Sequence, residues 1–256
     1  MYVAVPVTTL WTSPDAPRPV DGAAVARRPD VEAWLAALDA ERDGRLGLHG
    51  RTLSQLQAGE PVVPVGEPVH GWLEVVCPWQ PSSLDPRGYP GWLPVEHVVP
   101  GAAPAPANDG PLAAPTTVGD RPVARYAPSR EAFLKRASRH AGLQYLWGGT
   151  SVHGLDCSGL VHLALRELGV VVPRDADDQH DASQPVRVED AQPGDLFFFA
   201  RPGRRPHHVG IVTGPRRMLH APETGGGGRI VEEELGPERE ATLVGAGAFP
   251  GASSTP

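Results

Sequence analysis

The first hundred residues alternate between short apolar runs and turn-forming residues, a pattern typical of short β-strands. Residues 3–7 carry valine at every second position, as a strand buried on one face would. Residues 61–65, 72–76 and 92–95 form three more apolar runs, and Gly, Pro and Asp residues separate them. Several short strands joined by tight turns predict a small β-barrel.

One helix is predicted within this strand-rich part. Its apolar positions are spaced so that they share one side of a helix: Val31, Trp34, Leu35 and Leu38. Asp30 directly precedes them and can cap the first turn, whereas Asp43 and Gly44 provide an end to the helix.

The residues after 128 predict a different architecture, in which two helices precede a block of strands. Ser129 can cap a helix that ends before Gly142, and a second helix is expected over residues 157–168. The strand-like runs that follow lie at residues 196–200, 208–213, 218–221 and 243–249. Helices followed by a block of strands indicate an α+β domain.

The two parts are separated by residues 101–128, which are rich in Ala, Pro and Gly and keep no apolar period. This composition is typical of a linker that is stiff where its prolines cluster. We therefore predict a barrel domain at residues 1–100, the linker at 101–128, and a second domain at residues 129–251.

Composition narrows the class of protein further. Of the 256 residues, 40% are hydrophobic and 21% are charged, which is enough to form buried cores. The formal net charge of −7 makes a nucleic-acid partner improbable. No run reaches the roughly 18–20 apolar residues that span a bilayer, and the first ten residues lack the basic start of a secretory signal. We therefore expect a cytoplasmic protein without membrane association. Because the chain has only two cysteines, we expect both to be free thiols and not a disulfide.

Cys157 is the leading candidate for a catalytic residue. It follows a glycine-containing turn in the segment GLDCSGLV and opens the second predicted helix. A thiol at a helix N-terminus lies at the positive end of the helix dipole, which predicts a pKa below the free value of about 8.5. Ser158 is small enough to let a substrate approach, and Asp156 is the predicted helix cap. The alternative is that Cys157 is an ordinary buried cysteine.

A nucleophilic thiol needs a base and a group that orients the base. The segment HHVGIV places His207 and His208 at the start of a predicted strand, and LHAP places His220 on the next strand. Because neighbouring strand residues face opposite sides, only one of His207 and His208 is expected to face the helix that carries Cys157. If His220 lies on a paired strand, it can bond the second ring nitrogen of His208 and fix its tautomer.

The ordered segments GLDCSGLV, PGDLFFFA, HHVGIV and MLHAP resemble the signature series of the NlpC-type cell-wall cysteine peptidases, over about residues 129–251. The resemblance implies a reduced papain-like fold with Cys157 as nucleophile, His208 as general base and His220 as third polar residue. It also implies that Tyr145 lies beside the developing oxyanion. Members of this family cleave peptidoglycan stem peptides, most often after D-γ-glutamate, without a metal or organic cofactor.

The first part carries a narrower resemblance. TLSQLQAGEPVVPV followed by GYPGWLP is similar to the bacterial SH3-like barrel ahead of the dipeptidyl peptidases of this family. Those enzymes act on stem peptides with a free N-terminal L-Ala and release L-Ala-γ-D-Glu from diaminopimelate or lysine. The resemblance makes Glu60, Tyr89 and Asp175 candidates for binding the substrate and closing its groove. The family motif often has Ser after that Asp, whereas this chain has Ala176 and lacks the hydroxyl.

Together these features predict an α+β protein in which a small all-β SH3-like barrel with a helical insertion precedes a papain-like catalytic domain. The expected activity is that of a cysteine peptidase in cell-wall recycling, acting on murein tripeptides or tetrapeptides with a free L-Ala. We expect a monomer without metal or cofactor. The expected substrate-binding residues are Asp175, Tyr89, Glu60, Asp156 and Ser158. Two alternatives stay open: an acyltransferase or amidase of the same fold, and a non-catalytic wall-binding protein.

Overall fold

The computed structural model describes residues 1–101, 116–118, 121–123, 129–223 and 228–248, with 116–118 and 121–123 as backbone only. Inside the segment predicted to be a linker, Thr116–Val118 and Arg121–Val123 pair as an antiparallel hairpin. The rest of that segment after residue 101 lies outside the described residues, as does Phe249 at the end of the last predicted strand. Among the described residues, no helix has the length and apolar character needed to cross a bilayer.

The first domain is built around a five-stranded antiparallel sheet. In spatial order its strands are Thr52–Gln57, Val7–Trp11, Tyr89–Pro94, Trp72–Cys77 and Val63–Pro64. A separate pair, Tyr2–Val3 with Val98–Val99, joins the two ends of the domain. Three of the predicted strands are present with shifted ends. The strand predicted at residues 3–7 is wrong, because residues 4–6 form a bend between the strands Tyr2–Val3 and Val7–Trp11. The strand Thr52–Gln57 was missed by the apolar pattern, because polar residues occupy most positions of its sequence TLSQLQ.

The predicted helix of this domain is confirmed as Val31–Ala40, and the Asp30 side chain accepts a backbone N–H from its first turn. Its apolar side packs on the sheet, where the rings of Trp34 and Trp11 lie 6.1 Å apart. Gly44 follows with a φ of +42°, a conformation that favours glycine. Shorter helical segments complete the domain: Pro19–Asp21, Gly22–Val25, Gly44–Leu48 and Val95–His97.

The second domain is an α+β unit with a six-stranded antiparallel sheet. In spatial order its strands are Gln184–Val186, Leu243–Ala248, Leu196–Phe199, His208–Gly214, Arg217–His220 and Val231–Glu234. The helical segments are Arg130–Ser138, Cys157–Arg166, Ala176–Ala182, Val188–Asp190 and Pro237–Thr242. A small hairpin, Thr150–Ser151 with Gly154–Leu155, precedes the second helix. The predicted order, two helices and then strands, is therefore confirmed.

Both predicted helices begin at their predicted caps. The Ser129 hydroxyl accepts a backbone N–H of the first helix, and an Asp156 oxygen accepts the Gly159 N–H of the second at 2.7 Å. The two helices cover one face of the sheet with a shared apolar core, which includes Phe133, Leu160, Val161, Phe198, Ile211 and Leu219. Every residue of Cys157–Arg166, which we call the Cys157 helix, is buried. This burial fixes the position of the helix N-terminus relative to the sheet.

Candidate active site

A cavity of about 480 Å³ lies between the two domains, at the N-terminus of the Cys157 helix. The first domain contributes Thr52, Leu53 and Tyr89 to its lining. The second domain contributes the predicted nucleophile and base together with polar, charged and aromatic neighbours: Tyr145, Trp147, Asp156, Cys157, Ser158, Asp175, Ala176, Asp177, Arg201, Pro206, His207, His208, Glu223 and Arg239. The cavity therefore places a thiol and an imidazole at one concave, polar site.

The turn before Cys157 is held tightly against its helix. One oxygen of Asp156 accepts the N–H of Gly148 at 2.9 Å, while the other caps the helix. A Cβ atom on Gly159 would lie 2.0 Å from the carbonyl oxygen of Gly149, so this close approach requires glycine. The sequence around the nucleophile thus fixes where the sulfur lies.

Burial decides the protonation state of the Cys157 thiol. The residue is 8% exposed, and burial together with the charge of Asp156 raises the pKa of the thiol to about 12. Hydrogen bonds with the backbone of Val209 and Ser158 act in the opposite direction and are weaker. The predicted pKa below 8.5 is therefore wrong, because desolvation and the charge of Asp156 outweigh the backbone hydrogen bonds that favour the thiolate. The thiol is protonated at neutral pH and needs a base.

His208 and His220 are bonded to each other, as their placement on neighbouring strands predicts. His208 Nε2 and His220 Nδ1 lie 2.8 Å apart, and the two rings are nearly perpendicular. Burial is the main reason that the pKa of His208 lies well below its usual value and that the pKa of His220 falls to about 3. Both rings are neutral at physiological pH. His208 lines the cavity with Cys157, and because its Nε2 is bonded to His220, Nδ1 is the ring nitrogen left for the thiol.

His207 also lines the cavity, contrary to the expectation that only one of the adjacent histidines faces this side. The strand begins at His208, so His207 belongs to the preceding loop and is not subject to strand alternation. The positive charges of Arg201 and Arg239, after burial, contribute to lowering the pKa of His207. Neither arginine was predicted from the sequence, because both lie in exposed segments without an apolar period.

Tyr145 is buried at the edge of the cavity. Its backbone carbonyl accepts a hydrogen bond from Arg45 of the first domain at 3.3 Å. Burial, followed by the neighbouring Cys157, raises the pKa of the Tyr145 phenol, so the hydroxyl keeps its proton. A protonated hydroxyl in this cavity can donate to a developing oxyanion, and that role remains a prediction.

Tyr89 and Asp175 meet across the domain boundary. The Tyr89 hydroxyl donates to Asp175 Oδ2 at 2.7 Å, and both residues line the cavity. Burial raises the pKa of Asp175 above its usual value, even though Arg174 and Tyr89 act in the opposite direction. The carboxylate form of Asp175 is thus incompletely compensated, and a cationic group in the cavity would stabilise it.

Glu60 is not part of the cavity, and the prediction that it contacts substrate is wrong. Its side chain is 2% exposed, and its Oε2 lies 3.0 Å from Nη1 of Arg166, at the opposite end of the Cys157 helix from the thiol. The other carboxylate oxygen accepts the backbone N–H of Gln57 at 2.9 Å. A buried cation therefore satisfies Glu60, which joins the first domain to the helix instead of binding a ligand.

Arg174 is the main polar residue of the site that the sequence pattern does not reveal. It donates to both oxygens of Asp156, at 3.0 and 2.6 Å, and to the hydroxyls of Ser158 and Ser54 at 2.9 and 2.8 Å. Asp156 and Ser158 do line the cavity as predicted, but their side chains are bonded to Arg174. The available signal was that a buried capping carboxylate such as Asp156 needs a cation nearby.

The acidic residues after Arg174 are the group of side chains that could approach a cation. The ligand atoms of Asp175, Asp177 and Asp178 lie within 4.8 Å of one another. Asp177 already pairs with Arg205 at 2.7 Å, and Asp178 accepts the N–H of Ser83 at 2.8 Å. Because protein donors occupy these carboxylates, we assign no metal to them.

Comparisons with known proteins agree with this geometry. The profile of the NlpC/P60 family matches residues 142–236. The gamma-D-glutamyl-L-lysine dipeptidyl-peptidase of Bacillus subtilis (strain 168) is 34% identical over 265 residues, which cover 86% of this chain and 88% of that protein. The peptidoglycan endopeptidase RipB of Mycobacterium tuberculosis is 34% identical over 152 residues, 54% of this chain and 60% of that protein.

The fold of nearly the whole chain is shared with a solved structure. The crystal structure of an NlpC/P60 family protein from Bacillus cereus superposes with a TM-score of 0.82 at 23% sequence identity, over 97% of this chain and 98% of that chain. The long alignment with the Bacillus subtilis relative extends the sequence similarity well beyond the matched family profile. The chain therefore belongs to the NlpC/P60 family of cysteine peptidases.

Proposed function

We propose that this protein hydrolyses the γ-D-glutamyl–diamino acid bond of peptidoglycan stem peptides that carry a free N-terminal L-Ala. The observation that carries the proposal is the bond between Tyr89 and Asp175, which places a carboxylate from one domain and a hydroxyl from the other in the cavity of Cys157. The name of the Bacillus subtilis relative, gamma-D-glutamyl-L-lysine dipeptidyl-peptidase, supports the choice of bond.

A free ammonium group explains what the Tyr89–Asp175 pair would bind. An ammonium that enters the cavity loses water and needs a carboxylate partner, and Asp175 in turn lacks full compensation for its charge. In intact peptidoglycan the L-Ala amine is acylated and carries no charge. The site therefore favours released murein peptides over the polymer, which fits a role in cytoplasmic recycling of the cell wall.

The proposed chemistry starts from a neutral thiol and a neutral imidazole. As the Cys157 sulfur attacks the γ-D-glutamyl carbonyl, its proton moves to His208. The Tyr145 hydroxyl and the backbone N–H of Cys157 donate to the oxyanion of the tetrahedral intermediate. His208 returns the proton to the leaving amine, which leaves a thioester. Water, deprotonated by His208, then hydrolyses the thioester and releases L-Ala-γ-D-Glu.

The test compares two forms of one substrate. The purified protein is incubated with L-Ala-γ-D-Glu-diaminopimelate and with its N-acetylated form, and the products are quantified by mass spectrometry. We expect cleavage of the free peptide and a kcat/KM at least about 100-fold lower for the acetylated peptide, because a polar site rejects a ligand that lacks its charged group. Cys157→Ala should abolish turnover with an unchanged circular dichroism spectrum. Equal rates on both peptides would overturn the proposal.

Asp175→Asn separates substrate binding from stability. The amide still accepts the Tyr89 hydroxyl but cannot pair with an ammonium, so we expect KM for the free peptide to rise about 10- to 100-fold. The raised pKa of Asp175 implies that its stability contribution is lost as pH rises through the folded-state value. In urea denaturation at neutral pH the variant should therefore be at least as stable as the wild type. A lower stability with an unchanged KM would contradict both expectations.

A further inference from the structure

A carboxylate lies behind the histidine pair, on the side away from the cavity. Glu233 Oε1 is 3.0 Å from Nε2 of His220, and Glu233 does not line the cavity. The two residues are on paired strands, Arg217–His220 and Val231–Glu234. The His220 side chain is completely buried, whereas that of Glu233 is 39% exposed. His208, His220 and Glu233 thus follow one another from the cavity outward.

The bond between the two histidines can form in two ways that differ in function. Either His208 Nε2–H donates to His220 Nδ1, or His220 Nδ1–H donates to His208 Nε2. In the first arrangement, Nδ1 of His208 is unprotonated and can accept the proton of Cys157. In the second arrangement, that nitrogen already carries a proton and the base is lost. Because the pKa of His220 is about 3, its neutral ring holds a single proton that must occupy one nitrogen or the other.

A carboxylate at Nε2 of His220 discriminates between the two arrangements. An ionised Glu233 can only accept a hydrogen bond, so it favours a proton on Nε2 of His220 and leaves Nδ1 as an acceptor. We propose that Glu233 is a positioning residue that sets the tautomers of both histidines, so that Nδ1 of His208 is the base. This inference rests on the proposed catalysis by Cys157 and His208.

The surrounding charges are consistent with this role. Arg239 contributes to lowering the pKa of His208 and of His220. Its Nε lies 3.6 Å from Glu233 Oε1. The carboxylate therefore lies where it offsets the charge of Arg239 when His208 becomes protonated. His207 also contributes to lowering the pKa of His208, and the negative charge of Glu223 acts on His207.

Nε2 of His220 and Oε1 of Glu233 are close enough for an ion pair, but they are not aligned as a hydrogen bond. A buried N–H without an aligned acceptor is unfavourable. Since Glu233 is partly exposed, its side chain can turn into line without disturbing the core. The short distance and a buried ring nitrogen without a hydrogen-bond partner therefore point to the same pairing.

Glu233→Gln tests the assignment, because the amide retains the size of the side chain and removes its charge. We expect kcat on the free tripeptide to fall about tenfold or more, with little change in KM, because part of the general-base contribution is lost. Without the carboxylate the imidazolium is less stable, so the acid limb of the kcat/KM profile should move to lower pH. Nitrogen NMR of the ring in a Cys157→Ala background should show that Nδ1 of His208 gains proton occupancy in the variant.

Glu232→Gln provides the matched control. The neighbouring Glu232 points to the other side of the strand and bonds to Thr213 and Arg217 at 3.0 and 3.1 Å. It should leave kcat and the tautomer of His208 unchanged. An unchanged kcat in Glu233→Gln would overturn the inference, and so would a lower kcat with the wild-type tautomer. The NMR measurement needs no turnover, so it tests the inference even if the wild type fails to cleave the tripeptide.

Discussion

The Cys157 thiol and the His208 imidazole start as neutral groups, because burial removes the water that would stabilise their charged forms. With its pKa raised to about 12, the Cys157 thiol holds its proton at neutral pH. We therefore expect slow alkylation of Cys157 by iodoacetamide at neutral pH in the free enzyme, with a rate that rises steadily into the alkaline range. Mass spectrometry of the labelled site measures this rate.

The second cysteine provides the control for that experiment. Cys77 is fully buried in the first domain, and burial raises the pKa of its thiol as well. Cys77→Ala therefore removes the other thiol without changing the labelling of Cys157. A fast rate that stays level between acid and neutral pH would instead reveal a preformed thiolate–imidazolium pair in the resting site.

The sequence predicts the role of a side chain where neighbouring residues along the chain determine its position. Cys157 opens a capped helix and His208 opens a strand, so the apolar pattern and the motif order are sufficient to bring them together. Glu60 could not be assigned in this way, because its partner Arg166 lies in the other domain. Arg174 could not be assigned either, because Ser54 lies in the other domain and its remaining partners are 16 or more residues away along the chain. A turn beside a glycine gives no sign that Glu60 is buried against a cation.

The start of the Cys157 helix depends on Arg174. Arg174→Met removes the cation from Asp156 and leaves a buried carboxylate unpaired, so we expect a loss of about 3–5 kcal/mol in the free energy of unfolding. Arg174→Lys should not restore stability, because an ammonium cannot reproduce the two parallel bonds to the carboxylate. Urea denaturation measures both effects. The exposed Arg187, changed to Met as a control, should alter stability by less than about 0.5 kcal/mol.

The elements that the apolar pattern did not reveal are held by tertiary contacts. The helix Ala176–Ala182 has the polar sequence ADDQHDA, and its Gln179 amide donates to the carbonyls of Ser158 and Pro173 at 3.0 and 2.9 Å. The edge strand Val231–Glu234 has the sequence VEEE and is defined by its pairing with the neighbouring strand. A capped helix with one apolar side can be predicted from its own sequence. These two elements cannot, because contacts with other parts of the molecule stabilise them.

At the scale of the whole molecule, the strand Thr52–Gln57 connects the two domains. Its polar side chains bind the second domain, and because they are polar the apolar pattern does not predict the strand. The Gln57 amide donates to the carbonyl of Thr150 at 2.8 Å, and the Ser151 hydroxyl donates to Gln55 at 2.8 Å. Ser54 accepts from Arg174. The polar residues of this strand are therefore committed to the second domain, and no pattern within the first domain alone reveals that partner.

The buried pair of Glu60 and Arg166 gives this interface a direct test. Glu60→Ala leaves the guanidinium of Arg166 buried over the ring of Trp79, at 4.4 Å, without its carboxylate, so we expect about 3–5 kcal/mol less stability in urea denaturation. Because Glu60 lies outside the cavity, KM for the free tripeptide should not change, whereas Asp175→Asn should change KM without loss of stability. Replacing both partners, as in Glu60→Leu with Arg166→Met, should recover most of the stability, since neither charge is then left unpaired. A raised KM in Glu60→Ala, at a temperature where the variant is fully folded, would return Glu60 to the substrate site and contradict the placement described above.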